Sequence, residues 1–239
     1  MDQQERLRHL VLNTHPEDLK IGLTLGLWRT FAHPDVARQL ASAGGLINDP
    51  AGRASATGDA LLGLMEEGLD SPASKPVLAR LQGIHDGIDP DLMRFVLTAF
   101  TLPPIRFIDQ YGWRPLTDTE RNDYLSFASG LARELGIQPP AGDVAEWTRW
   151  ADAYEQQHFG PSCHSLSLWQ FAGAPLAARR LPRPLRRPLQ RSVANVAGAL
   201  LDARVRSALG LAAPSATGKH ATAALLRLRG WVIRRRQTS

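Results

Sequence analysis

The chain has 239 residues, 44% hydrophobic and 21% charged, with one cysteine, Cys163, and a net charge of +5. That balance excludes a disordered or collagenous chain, and a lone thiol excludes a disulfide framework and a cysteine-rich zinc or iron–sulfur centre. The net charge hides an asymmetry: from Pro175 onward there are 14 Lys and Arg against one acid, Asp202, so the tail carries about +13 and the residues before it about −8.

The opening MDQQERLRHL mixes charges of both signs and lacks the apolar run of a secretory leader. The apolar stretch 21–28 is too short to span a bilayer, and no transmembrane helix is expected. A stripe of Leu23, Leu27, Phe31, Val36 and Leu40 predicts helix over about 17–43, bent or split at His33-Pro34 and ended by Gly44-Gly45. A loop holding Asn48, Pro50 and Gly52 follows. The next helix is expected from about Arg53 to Glu67, stopped by Gly68. Another starts near Ser74, with Val77, Leu81, Ile84 and His85 sharing one face.

Asp89-Pro90 reads as an N-cap with proline in the first turn of a helix carrying Leu92, Val96, Ala99 and Phe100. Pro103-Pro104 should break or kink that helix. Thr117-x-x-Glu120 is a capping box for a helix ending near Gly136. Asp143-x-x-Glu146 opens one with Trp147, Trp150 and Tyr154 on one side. Past Gly160, Pro175, Pro182, Pro184 and Pro188 among arginines read as an extended linker. Two amphipathic segments, about 190–209 and 219–236, close the chain. With no sustained alternation and no internal repeat, the expected fold is all-α, a single multi-helix domain.

Three groups of residues carry possible chemistry. His85 lies on the apolar face of its helix, where it is either a core histidine with a satisfied hydrogen bond or the one axial ligand a haem iron requires. Arg53 and Thr57 stand one helical turn apart and project together, either as surface residues or into a pocket. His158, Cys163 and His164 cluster without a zinc-ligand spacing and read as a helix end followed by a loop. Ser215-Ala-Thr-Gly-Lys219 lacks the first glycine of a phosphate loop, having Ala213 there. GxSxG, HExxH and GxGxxG are all missing. The stretch Phe107 to Pro115 reads as a pocket wall or as ordinary core and turn, and Trp147, Trp150 and Tyr154 read as core.

One ordered set of short matches goes further: Gly26-Leu-Trp-Arg-Thr-Phe-Ala32, Arg53-x-x-x-Thr57, Ile84-His85, Pro104-Ile-Arg-Phe-Ile-Asp109-x-x-Gly-Trp-Arg-Pro-Leu-Thr117, and Tyr154-Glu-x-x-His158-Phe. Over about residues 18–170 the chain resembles the MpaB-type oxygenases, which share a catalytic domain with the latex-clearing (rubber oxygenase) proteins. The resemblance implies a globin-like helical core with additional helices, holding one non-covalent haem b. It implies His85 as proximal iron ligand, with Arg53 and Thr57 as the paired residues of the haem pocket. The implied chemistry is oxidative cleavage of a carbon–carbon double bond in a lipophilic, isoprenoid-like substrate by dioxygen. Two departures remove rubber itself as the expected substrate. Ala56 stands where some rubber-cleaving members have a lysine, and no residue here matches their acidic base.

The expected organisation is a haem-binding helical oxygenase domain over 1–174 and a basic Pro/Arg-rich linker and amphipathic tail over 175–239, packed on the domain or at a membrane surface. Leucines, valines and Trp231 interleaved with arginines suit a helix lying in a membrane interface. The expected location is cytoplasmic, with peripheral contact at the inner face of a membrane. The rival reading is a non-enzymatic helical protein that docks on membrane or an acidic partner through this tail. No nucleic acid is expected, because no recognition motif accompanies the charge.

Overall fold

The computed structural model describes residues 1–179, 184 and 193–237. Among them there is no strand. Helix α1 (Gln3–His9) opens on a capping box formed by Asp2 and Glu5. A π-helical turn, Leu10–Thr14, leads into α2 (Pro16–Thr30). His33 caps α3 (Pro34–Ser42), so the predicted 17–43 segment is split at His33-Pro34.

The expected loop after Gly44 is instead α4 (Gly45–Asn48) followed directly by α5 (Pro50–Glu67). The reason is local. Asp49 accepts a hydrogen bond from the Gly52 N–H, and proline at the first helical position loses no intrahelical bond. Gly68 then ends α5 at φ +85°, a left-handed conformation that side-chain-bearing residues avoid. α6 (Lys75–His85), α7 (Pro90–Tyr111), α8 (Asp118–Glu134) and α9 (Val144–His158) follow. α10 (Cys163–Leu168), a second π-helical turn (Trp169–Gly173) and α11 (Ala174–Ala178) come next. The tail contributes α12 (193–199), α13 (Ala203–Ala208) and α14 (Ala216–Gln237). Pro175 lies in the first turn of α11 rather than in an extended linker; Pro182 and Pro188 lie outside the described residues.

The chain divides into two compact units, Met1–Gly26 with Thr57–Tyr154, and Leu27–Ala56 with Glu155–Ser239. The first has a continuous core from α7, α8, the C-terminal half of α5, and Leu78 of α6. α7 corrects a prediction: it runs unbroken through Pro103 and Pro104. Those prolines free the carbonyls of Ala99 and Phe100, four residues earlier. Tyr124 Oη donates to the Phe100 carbonyl at 3.3 Å. The Ala99 oxygen sits against Gly26, 2.3 Å from where a Cβ would stand, and Gly22 meets Pro104 just as closely. α2 and α7 therefore pack backbone to backbone, which only glycine permits.

In the second unit, Trp28 meets Trp169 edge-on, with ring centroids 5.4 Å apart. α10 lies against α3, and α4 against the second π-helical turn. From the tail, Leu201, Val205, Ala208 and Leu209 are buried.

Candidate functional site

His85 is the last residue of α6. On that helix Leu78 is buried, Val77 and Leu81 pack partly buried on the first unit's core, and half-buried His85 extends their stripe by one turn. Ile84, expected on the same face, is 48% exposed. His85 Nδ1 lies 2.8 Å from the Leu81 carbonyl oxygen. A carbonyl only accepts, so Nδ1 carries a hydrogen, and in the neutral ring the lone pair is then on Nε2. The helix backbone thus orients the ring.

Arg53 and Thr57 stand one turn apart on α5, both half-buried, as their spacing requires. Continuing that face, Leu61 is partly buried on the core and Leu64 is fully buried. Thr57 and His85 belong to the first unit, while Arg53 belongs to the second, where its Cδ lies 3.6 Å from a Cβ position on Gly45. Among the described residues, nothing lies within 4 Å of a Cβ built on Gly58 or Gly63 of α5 or on Gly83 of α6.

An axial histidine for haem must be neutral, with one nitrogen bonded to an acceptor and room on an apolar surface beside it. His85 with its Leu81 partner meets the hydrogen-bond part of that demand, and on its own helix Val77, Leu78 and Leu81 supply the apolar stripe that it extends.

The remaining motif residues serve other ends. Inside the second unit, Arg29 is 9% exposed and forks onto Glu155, 1% exposed, with Nε–Oε1 and Nη2–Oε2 each 2.5 Å. Arg29 Nη1 reaches Asp202 at 2.5 Å, and Arg204 Nη1 reaches Glu155 at 3.3 Å. Two cations face two carboxylates, so no charge is buried unmatched. Burial disfavours the Arg29 cation, but Glu155 and then Asp202 outweigh it and raise its pKa. Burial likewise pushes Asp202 up, while Arg29 and the Val205 N–H pull it below the usual carboxylate range. Beside this network His33 stacks on His158 at 5.8 Å. The Trp-Arg-Thr-Phe-Ala and Tyr-Glu-x-x-His-Phe segments thus meet as scaffold.

Phe107 and Ile108 are core, Trp113 Nε1 donates to the Thr14 carbonyl at 2.8 Å, and Arg114 forks onto Glu120 at 2.6 and 2.7 Å, so this stretch is core and turn. Trp147 is buried, and Trp150, Tyr154 and Phe95 stack in series. His158 ends α9, and Cys163 is exposed at the start of α10 beside His164. Ser215 caps α14, accepting from the Gly218 N–H. Two features are missing from the expectations drawn from the sequence. One is the Arg29–Glu155 fork, 126 residues apart. The other is a buried His15–Asp18 pair, Nδ1 to Oδ2 3.0 Å, which an i, i+3 spacing of opposite types hints at.

These features define an all-helical protein whose candidate chemistry converges on one backbone-oriented imidazole; among the described residues no group of three or more His, Cys, Asp or Glu could hold a metal ion. The chain belongs to the family described as ER-bound oxygenase mpaB/B'/Rubber oxygenase, catalytic domain, whose sequence profile matches residues 18–235. The match runs through the basic tail, past the last motif at Phe159 and past the limit of about 170 expected for the resemblance. The chain is similar to the ER-bound oxygenase mpaB' of Penicillium brevicompactum, 28% identical over 231 residues, covering 87% of this chain and 53% of that protein. It is also similar to the ER-bound oxygenase mpaB of Penicillium roqueforti, 30% identical over 151 residues, covering 55% of this chain and 50% of that one. The chain thus spans about half the length of the relatives it matches.

Proposed function

We propose that this chain is a haem b-dependent oxygenase acting on a lipophilic, isoprenoid-like substrate. The observation that carries the reading is His85, half-buried at the end of α6, with Nδ1 on the Leu81 carbonyl, so that in the neutral ring Nε2 is the nitrogen that would bind a metal. Family membership supports the oxygenase class. Haem, when bound, supplies the iron that activates dioxygen, and cleavage of an alkene by one dioxygen leaves a carbonyl at each new end.

The chain's own residues have separable tasks. His85 would hold the iron through Nε2, with the Leu81 hydrogen bond orienting the ring and increasing its basicity. Arg53, on the second unit, carries a permanent positive charge of the kind that pairs with a carboxylate. Thr57 offers a hydroxyl one turn further along α5. The relatives' description as ER-bound, together with the basic tail, supports peripheral contact with a membrane in which such a substrate dissolves. Among the described residues no helix is long and apolar enough to cross a membrane.

The test is the visible spectrum of the protein expressed with haem supply, beside His85→Ala. A Soret band that shifts or disappears in the variant is expected. No band in either protein after adding haem, with helical circular dichroism intact, would sink the reading.

A further inference from the structure

α14 has two faces that are both partly apolar. Thr222 and Gly230 are buried, and Leu226 and Ile233 are half-buried, so one side is packed inward. The other side is turned to solvent and carries Leu225 (61% exposed), Leu228 (57%), Trp231 (48%) and Val232 (37%). These positions follow i, i+3, i+6 and i+7 and so form one band along the helix axis. Arg227 and Arg234 flank the band on one side and half-buried Arg229 on the other. Arg235 folds across Trp231, its guanidinium carbon 3.8 Å from the ring centroid. From 216 to 237 there are six basic residues and no acid.

We propose that the outward face of α14 is a docking surface for an anionic lipid bilayer, the helix lying parallel to it with Leu225, Leu228, Trp231 and Val232 below the headgroups. The commitment to lipid rests on charge and chemistry together. A second copy of this chain would set six cations against six like charges. An anionic bilayer offers opposite charge at the depth of the arginines and hydrocarbon at the depth of the leucines. Tryptophan belongs at that boundary, its ring in the apolar layer and its N–H in the wet one. At 22 residues the helix is about 33 Å long, enough to seat the band and its basic flanks together. This inference gives the membrane contact of the preceding reading a definite surface, yet it needs no haem.

The experiment is cosedimentation of the full chain with vesicles of phosphatidylcholine alone and of phosphatidylcholine mixed equally with phosphatidylserine. Binding to the mixed vesicles, at least about tenfold stronger than to the neutral ones and weakened by high salt, is expected. Leu228→Asp, at an exposed position that leaves the fold intact by circular dichroism, should reduce it about tenfold or more. Arg227→Glu should reduce it by roughly fivefold or more. Brominated lipid should quench fluorescence in the wild type and much less in Trp231→Phe.

Equal binding to neutral and anionic vesicles overturns the proposal, as does undiminished binding by Leu228→Asp. Self-association that Leu228→Asp abolishes, without vesicle binding, overturns it in favour of a second copy. Vesicle binding measured with and without haem separates the two readings: an intact Soret band without docking defeats only this surface, and docking without a Soret band defeats only the cofactor.

Discussion

His33 and His85 each commit a ring nitrogen to the backbone, in opposite senses. His85 Nδ1 donates to a carbonyl, whereas His33 Nδ1 accepts from the Asp35 N–H at 3.2 Å and so caps α3. Burial, aided by the stacked His158 and opposed by the nearby Asp35 carboxylate, holds His33 below its ordinary range. The unfolded chain then takes up a proton near pH 6.5 that the folded chain resists, so stability falls as pH drops through the ordinary histidine range toward the folded value. One such proton gives a slope of at most about 1.4 kcal/mol per pH unit. His33→Asn keeps a capping acceptor and removes the titration. Urea midpoints of the wild type should therefore fall between about pH 7 and about pH 5 more steeply than those of the variant; parallel lines would refute the assignment. Glu120 does not cloud this window. Burial raises Glu120, but hydrogen bonds from Arg114 and Thr117 hold it down to about 2. At this scale the sequence carried the face of His85 and the Arg53–Thr57 pair, because i, i+4 spacing is local. The direction of a histidine hydrogen bond is not legible from spacing, since both partners, the Leu81 carbonyl and the Asp35 N–H, are near in sequence and the rotamer of the ring decides which kind it meets.

Element boundaries were legible wherever a cap marked them: Asp89, Thr117 with Glu120, Asp143 with Glu146, and Gly68 and Gly136 at positive φ. They were misread where a local rule met a tertiary compensation. Pro103 and Pro104 fail to break α7 because the carbonyls they free have other neighbours, Tyr124 Oη at one and the bare backbone of Gly26 at the other. No window of sequence around the prolines contains Tyr124 or Gly26. Glycine therefore has opposite meanings on α2 and α5. Gly26→Ala would drive a Cβ to 2.3 Å from a backbone oxygen that cannot retreat without moving α7, and should cost about 3 kcal/mol or more. Gly63→Ala meets nothing within 4 Å among the described residues and gains helix propensity, so it should stabilise by about 0.5–1 kcal/mol. Thermal unfolding of the two variants should shift in opposite directions, and a shared direction would mean that the α2–α7 approach is not as tight as this packing requires.

Across the whole chain, the charge pattern marks the tail as a body apart, while burial divides it into parts with different duties. The outward face of α14 presents cations and leucines to solvent. The segment before it does the reverse: Leu201, Val205, Ala208 and Leu209 are each 5% exposed or less, and Asp202 and Arg204 complete the pairing of Arg29 and Glu155. Composition averages these residues with the arginines around them, so a basic Pro/Arg-rich count says little about which of them are core. A chain ending at residue 174 tests the division. It would lose four buried Leu and Val side chains, Leu176, Leu201, Val205 and Leu209, worth about 1.5–3 kcal/mol each. It would also leave Glu155 with one cation fewer and Arg29 with one carboxylate fewer, in a site where an unmatched charge costs about 3–5 kcal/mol. Together these losses rival the roughly 5–15 kcal/mol that holds a domain folded. The truncated chain should therefore show a broad, early urea transition or none, followed by far-ultraviolet circular dichroism. A cooperative transition at the full-length midpoint would mean that residues 175–239 add nothing to the fold and serve only as a surface.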